Sequence, residues 1–437
     1  MVNRLFLCLI LAAVQSGAAH ASGEAQKRWE LMNQIRQEKF DLVLPEAMRE
    51  NGVDMWITVN REGYDDPLTR DLGKGYTGSW GYYIFTDRGG DRIERAALGI
   101  GTHLLEENGA YDIVTEDFNL AEFVRERDPE RIALNYAEHI GAADGLSYTS
   151  YRNLSAMLGE EYSRRFVSAQ KLISDFRSRR VATEIAAFAA AGELSRSIAE
   201  RAFSNDVITP GKTTLAEVAW WMHEQQFQNN LDTSFGMPSV YITGPDGFVG
   251  LSDDHVIQRG DFLAIDWGVG YLNFYTDMKR HAYVLREGET GLPASFQKAF
   301  DNGRAVRDIL KQNIRPGRTA SDTLDILNRK LTDAGFGVMA EFNKPTADPG
   351  IIDVIVACHS VGNLGHGVGP SIAFFNPERL KYTIKPTNLL SIELFAYTAI
   401  PEWGGKKLRV PLEDDAVVTE RGVEWLYPVN QEVLLIR

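Results

Sequence analysis

Apolar positions recur along the chain with two periods, and the change from one to the other divides it. Over 26–41, Trp29, Met32 and Ile35 fall on one side of a 3.6-residue winding and predict a helix. Pro45 suits the first position of a second, short helix ending near Glu50. The segments 54–59, 80–86, 95–99 and 131–135 read as strands, with a Gly89-Gly90 turn between the second and third, and 154–172 reads as a helix. This alternation predicts an α/β layer ending near Ser178. A helical block follows over 184–203, striped by Ile185, Phe188, Ala191 and Leu194. After Pro210-Gly211 a second helix carries Leu215, Val218, Trp221 and Met222 on one face, and the neighbouring Trp220-Trp221 pair reads as core or dimer packing. The period then shortens to that of strands and turns over 239–284. Helices return at 293–313 and 320–334, and the chain is strand-like again from Ile352. No short repeat or low-complexity tract interrupts it.

The first 21 residues do not fit that scheme. Arg4 precedes an apolar run from residue 5 to 14, and Ala19-His20-Ala21 forms a small-residue cleavage site before Ser22. The run is too short to span a bilayer. It predicts a cleavable signal peptide and a periplasmic or secreted protein, with no membrane span after cleavage. Cleavage removes Cys8 and leaves Cys358 as the one cysteine, which has no internal disulfide partner.

Composition narrows the function. The chain has 437 residues with 44% hydrophobic and 24% charged positions, ordinary for a soluble protein of two or three domains. A formal charge of −14 argues against nucleic acid or an anionic membrane surface as partner. Two cysteines argue against a disulfide scaffold or a Cys-rich metal site.

Carboxylates occur where a core strand should be apolar. Asp266 closes Phe-Leu-Ala-Ile-Asp, Glu393 sits within Leu-Leu-Ser-Ile-Glu-Leu, and Glu413 opens an acidic step before Ala416-Val417-Val418. Each alone is compatible with an edge strand whose acid faces water. Together they call for one explanation, because a buried carboxylate needs a partner or a metal. Asp277 follows Asp266 after a Gly-Val-Gly turn that predicts a hairpin return, and His366 lies free-standing in Gly365-His366-Gly367-Val368-Gly369. Four carboxylates and one imidazole suit a pair of hard or borderline divalent ions: manganese, zinc or cobalt.

These pieces, in this order, resemble the pita-bread metallopeptidases, the family of methionine aminopeptidase, Xaa-Pro aminopeptidase, prolidase and creatinase. The resemblance implies an α+β fold: a signal peptide over 1–21, a smaller α/β creatinase-like N-terminal domain over 22–180, and a pita-bread catalytic domain over 181–437. It implies metal ligands at Asp266, Asp277, His366, Glu393 and Glu413, with Asp277 and Glu413 bridging two ions about 3.5–4 Å apart. Glu393 would also act as general base, and a homodimer would be the assembly.

The pattern also departs from the family. Substrate-contacting histidines are replaced by Val249 and Ala373, a Glu-Pro step by Glu393-Leu394, and a Thr by His281. An Arg expected at Pro411 is absent, and Arg409, on the same face of a strand, is the candidate replacement. His281 and His359 are candidates to contact substrate or support the ligands, each weighed against a packing role, as is His255. Cys358 and His359 are adjacent on a strand and so point to opposite faces, which argues against a nucleophile–base pair. The expected activity is a dinuclear-metal hydrolase of Xaa-Pro peptides. The alternatives are a metal-retaining, catalytically weak peptide- or protein-binding relative, and a hydrolase of a non-peptide amide or ester.

Overall fold

The computed structural model describes residues 23–101, 103–250 and 255–437. The expected signal peptide and its cleavage site lie outside the described residues. The described chain begins with the helices Glu24–Leu42 and Leu44–Glu50, the second with Pro45 in its first turn. A six-stranded mixed sheet follows. Its central pair is Met55–Asn60 against Tyr76–Thr86, and it ends at Ile113–Thr115 on one edge and Phe166–Ser168 on the other. The expected helix over 154–172 is broken by that last strand into Tyr148–Ser163 and Gln170–Ser178. Phe166-Val167-Ser168 pairs in parallel with Ile132–Leu134, so sheet pairing at an edge overrides the helical spacing on either side.

The helix Ala182–Ala202 opens with the Glu184 carboxylate accepting the Val181 N–H at 3.1 Å. Leu215–Gln228 opens with a capping box: the Thr214 hydroxyl accepts from the Glu217 N–H, and the Glu217 carboxylate accepts from the Thr214 N–H. Both helices pack on a five-stranded sheet ordered Leu434–Ile436, Met278–Val284, Phe262–Trp267, Ser239–Gly244, Gly247–Val249. Val240, Leu263, Ile265 and Met222 meet in that layer. Trp220 is not in it: it stands 62% exposed, whereas Trp221 packs against the core.

A larger eight-stranded sheet runs Lys407–Leu412, Leu394–Ala399, Asp353–Ser360, Leu389–Ser391, Asp415–Thr419, Gly422–Trp425, with two short strands paired to Asp353–Ser360. The helices Ala294–Asn313 and Ala320–Asp333 cover its outer face through a core that includes Phe300, Leu327, Val356 and Leu412. The two sheets meet where the Lys279 N–H donates to the Glu413 carbonyl at 3.0 Å.

The turn between Asp266 and Asp277 differs from the Gly-Val-Gly hairpin expected. The chain continues through the strand Val269–Tyr271, reverses at Leu272-Asn273, and returns along Phe274–Tyr275. Gly268 matters for space rather than for turning, since any Cβ there would collide with the Thr276 carbonyl. That close backbone approach brings the two aspartate segments together. Among the described residues no helix is long and apolar enough to cross a membrane.

Candidate metal centre

The five expected ligand positions converge where the two sheets meet. Asp266 lies on Phe262–Trp267, paired across to Lys279, and Asp277 stands just before Met278–Val284. Glu393 occupies the break between Leu389–Ser391 and Leu394–Ala399, and Glu413 the break between Lys407–Leu412 and Asp415–Thr419. At each break the chain changes sheet partners, and the side chain points to the seam. His366 comes from the loop after Asp353–Ser360. Gly367 has φ +54° there and lies too close to the Ser360 carbonyl for a Cβ. His366 packs against Phe235 and His359, with ring centres 5.1 and 5.0 Å away.

His359 joins this group. Its Nε2 lies 3.1 Å from Glu413 Oε1, 3.7 Å from Asp277 Oδ2 and 3.8 Å from Glu393 Oε2, so it is part of the centre rather than of the packing. Its Nδ1 donates to the Ser360 carbonyl at 3.0 Å, which turns Nε2 toward the carboxylates. Cys358 faces the other way. It is buried in the apolar core, its thiol donates to the Glu393 carbonyl at 3.5 Å, and burial raises the thiol well above its ordinary pKa. The strand alternation therefore separates Cys358 from His359.

His281 is not brought to the centre. Four residues beyond Asp277, it is fully buried between Phe262 and Phe300, and its Nδ1 accepts from Asn430 at 2.9 Å. The shared strand face expected from spacing runs out of the seam before reaching it, and burial lowers its pKa to about 3. His255 stays near the surface, 3.7 Å from Asp261. Arg409 lies beside the centre, its guanidinium 4.5 Å over the Phe395 ring and 5.7 Å from that of Phe248. Val249 is 44% exposed on an edge strand, and Ala373 is buried opposite Ala357.

Lys279 is a member of the centre that the ligand pattern does not announce. Its ammonium contacts Asp266 Oδ2 at 3.1 Å, Glu393 Oε1 at 2.8 Å, and Glu413 Oε2. Burial works against its charge, but Asp266, Glu393, Glu413 and Asp277 outweigh burial and hold its pKa well above the ordinary lysine value. The carboxylates divide accordingly. Burial opposes the charge of Glu413, yet Lys279 and His359 draw its pKa below the ordinary range, and Ser391 Oγ donates to it at 2.6 Å. Burial and then Glu413 push Glu393 up to about 7. Asp277 is driven well above the carboxylate range by burial, Glu413 and Asp266. His359 is raised, because Glu413 more than offsets its burial, and His366 falls to about 4 through desolvation and the nearby His359.

The donors fit a cation. Asp277 Oδ2 is buried without a hydrogen-bond partner among the described residues. A carboxylate in that state is costly unless a positive charge reaches it. Three groups of donors have ligand atoms within 4.8 Å of one another: Asp277, His359, His366; His359, Glu393, Glu413; and Asp266, Asp277, Glu413.

A connection behind the ligands fixes them. The Asp277 N–H donates to Asp415 Oδ2 at 3.1 Å, and Tyr427 OH donates to the same oxygen at 3.0 Å. The Tyr427 ring lies against Gly192 of helix Ala182–Ala202, where a Cβ would strike it.

Two sheets closing on a carboxylate–imidazole cluster define a pita-bread hydrolase fold with a candidate metal centre. The chain belongs to metallopeptidase family M24, whose sequence model matches residues 186–420. It is 25% identical over 309 residues to an Xaa-Pro dipeptidase of Pyrococcus furiosus, covering 69% of this chain and 77% of that protein. It is 23% identical over 303 residues to the uncharacterized peptidase YqhT of Bacillus subtilis, covering 67% and 73%. Among solved structures it is similar to the X-Pro aminopeptidase of Thermotoga maritima, with TM-score 0.60, 19% identity, and coverage of 89% and 98%. It is also similar to the Xaa-Pro dipeptidase of Bacillus anthracis, with TM-score 0.59, 18% identity, and coverage of 94% and 99%.

Proposed function

We propose that the protein is a metal-dependent hydrolase of short peptides with Xaa-Pro specificity. The observation that carries this reading is the convergence of Asp266, Asp277, His359, His366, Glu393 and Glu413 at one seam in a member of family M24. A cavity of about 690 Å³ lies on the side of Arg409, lined in part by Phe248, Asn343, Tyr397, Lys407 and Arg409 itself. Arg409 links the two, since it lines the cavity and stacks on Phe395, whose ring is 5.8 Å from the Lys279 ammonium.

A divalent ion, when bound, supplies Lewis-acid polarisation of a carbonyl and activation of water. The protein supplies the rest. Glu393, poised near neutral pH, accepts a proton and returns it to the leaving amine, and Lys279 holds its carboxylate in place. Arg409 Nε is buried without a partner among the described residues, and the guanidinium is available to the carboxylate end of a short peptide. Lys407 is already paired with the buried Asp353. Phe235 and Phe248, both partly exposed, offer aromatic faces to a proline ring.

Manganese, zinc and cobalt are the ions this donor chemistry favours. Export is supported by the composition of residues 1–21, and an N-terminus at Ser22 in protein recovered outside the cytoplasm would test it. A homodimer is supported by Trp220 and Phe227, 62% and 79% exposed and one heptad apart on Leu215–Gln228, and sedimentation tests it. For the activity, the test is a dipeptide panel after loading with each ion in turn. Xaa-Pro dipeptides should turn over, Xaa-Ala controls should lag, and a chelator should abolish both. No turnover of any peptide under any of the ions overturns the reading.

A further inference from the structure

We propose that Lys279 is a resident cation of this centre: its ammonium takes one of two cation positions, and the chain holds a single divalent ion on Asp277, His359 and His366. The inference rests on the peptidase reading only for the use made of that ion.

The oxygens are already apportioned. Lys279 engages Asp266 Oδ2, Glu393 Oε1 and Glu413 Oε2. The other oxygen of Glu413 accepts from Ser391 and faces His359. Among the four carboxylates, Asp277 is the one with a buried oxygen, Oδ2, that no donor reaches among the described residues. That oxygen lies 3.7 Å from His359 Nε2, and of the two donor groups that include Asp277, the one with His359 and His366 contains none of the three acids on Lys279, whereas the other contains Asp266 and Glu413.

Lys279 is not a side chain passing through. It is 2% exposed on an inner strand, paired in register with Asp266, with the Phe395 ring beneath its ammonium. A divalent ion among Asp266, Glu393 and Glu413 would have to displace a positive charge that is itself buried against all three. A buried ammonium with three carboxylate partners is well satisfied where it stands.

The remaining donors form a site of their own. The Ser360 carbonyl holds His359 with Nε2 toward the centre, and His366 lies within a ring's breadth. Two imidazoles and one carboxylate make a nitrogen-rich set, suited to zinc, cobalt, manganese or ferrous iron rather than magnesium or calcium. The pair of ions bridged by Asp277 and Glu413 that the ligand order alone suggests becomes one ion and one ammonium.

The test counts metal on the full chain. Protein stripped by chelator is titrated with Co²⁺, following the visible d–d bands and the metal retained after gel filtration. Wild type should saturate at about one equivalent. Lys279→Met, which removes charge while keeping length, should raise this to about two. Asp277→Asn and His359→Ala should each bring retention close to zero, whereas Asp266→Asn should leave one equivalent. Circular dichroism checks the fold of each variant. Should Lys279→Met misfold, Mn²⁺ resonance on the wild type still decides: an isolated ion gives a six-line spectrum, and a pair gives an exchange-coupled one. Two equivalents or a coupled spectrum in wild type would overturn the proposal, as would no retention, or one equivalent indifferent to Asp277 and His359. Dipeptide turnover is read in parallel. Two equivalents with turnover defeat the single-ion inference and leave the peptidase reading intact. One equivalent with the expected ligand dependence and no turnover does the reverse.

Discussion

His359 Nε2 and Glu413 Oε1 lie 3.1 Å apart, which joins the strand Asp353–Ser360 to the break after Lys407–Leu412. An imidazole at this spot bonds to a carboxylate or to a metal, and its removal affects both. His359→Ala should lower Co²⁺ affinity by at least about 100-fold, at the upper end of effects for residues that support a metal and more if it ligates directly. Equilibrium titration monitored by absorbance measures this. An affinity within threefold of wild type would place His359 outside the ligand set.

Glu393 is the proton carrier in the proposed reaction. Glu393→Gln should lower kcat by about 10²–10⁴ with little change in KM, the range expected for loss of general acid–base assistance. Wild-type kcat/KM should fall on the acid side as Glu393 takes up its proton, at or below pH 7, since its pKa of about 7 is reached before a cation draws it down. That limb should vanish from the variant's profile.

Arg409 is expected to hold substrate rather than to react. A charged hydrogen bond contributes about 1.5–3 kcal/mol, so Arg409→Gln should cost roughly 10- to 100-fold in kcat/KM, mainly through KM. Amidated dipeptides, which lack the terminal carboxylate, should show little difference between the two proteins. Equal losses on free and amidated peptides would remove Arg409 from this role.

The burial of His281 makes stability depend on pH. Its folded pKa of about 3 lies below the unfolded value near 6.5, so the unfolded chain binds the proton between those limits. Stability is lost as pH falls from about 6.5 toward 3. From pH 7 to pH 5 this one group should cost the folded state about 2 kcal/mol. Urea unfolding of wild type and His281→Leu at the two values should differ in slope by about that amount. Parallel slopes would show that His281 is not buried as a neutral imidazole.

Gly268 is the tightest point of the hairpin. Gly268→Ala sets a methyl group against the Thr276 carbonyl and should destabilise the protein by about 1–3 kcal/mol, the usual range for overpacking. Because Asp266 and Asp277 flank this contact, metal affinity should drop in the same variant. A thermal melt and a Co²⁺ titration on one sample read both.

Much of this is legible in the chain itself. The helical stripes at Phe188 and Val218 mark faces that are buried, and the three acids set into apolar runs lie at the seam. Lys279 is concealed because Asp-Met-Lys-Arg reads locally as a charged, solvated turn. Its signal is the period of two, which puts Lys279 on the face of Asp277 once both are assigned to one strand. His359 is hard to tell from a packing residue because the loop from Val361 to His366, which folds the two imidazoles together, has no periodic signature. His281 shows the opposite error: alternation gives the face of a strand, not how far along it a site extends. The strand Phe166–Ser168 is masked by neighbouring helices because its pairing partner lies more than thirty residues earlier.

The stack of Gly192 on Tyr427, and of Tyr427 on the carboxylate that accepts from Asp277, has a genetic corollary. An allele encoding alanine at residue 192 should behave as a null although it alters no ligand and lies on an outer helix. Shrinking the side chain at residue 427 should not rescue it, because the Tyr427 hydroxyl that donates to Asp415 would go with the ring. A mutational map of this protein would therefore show two intolerant positions far apart in the chain, one on that helix and one near the C-terminus, neither of them a ligand.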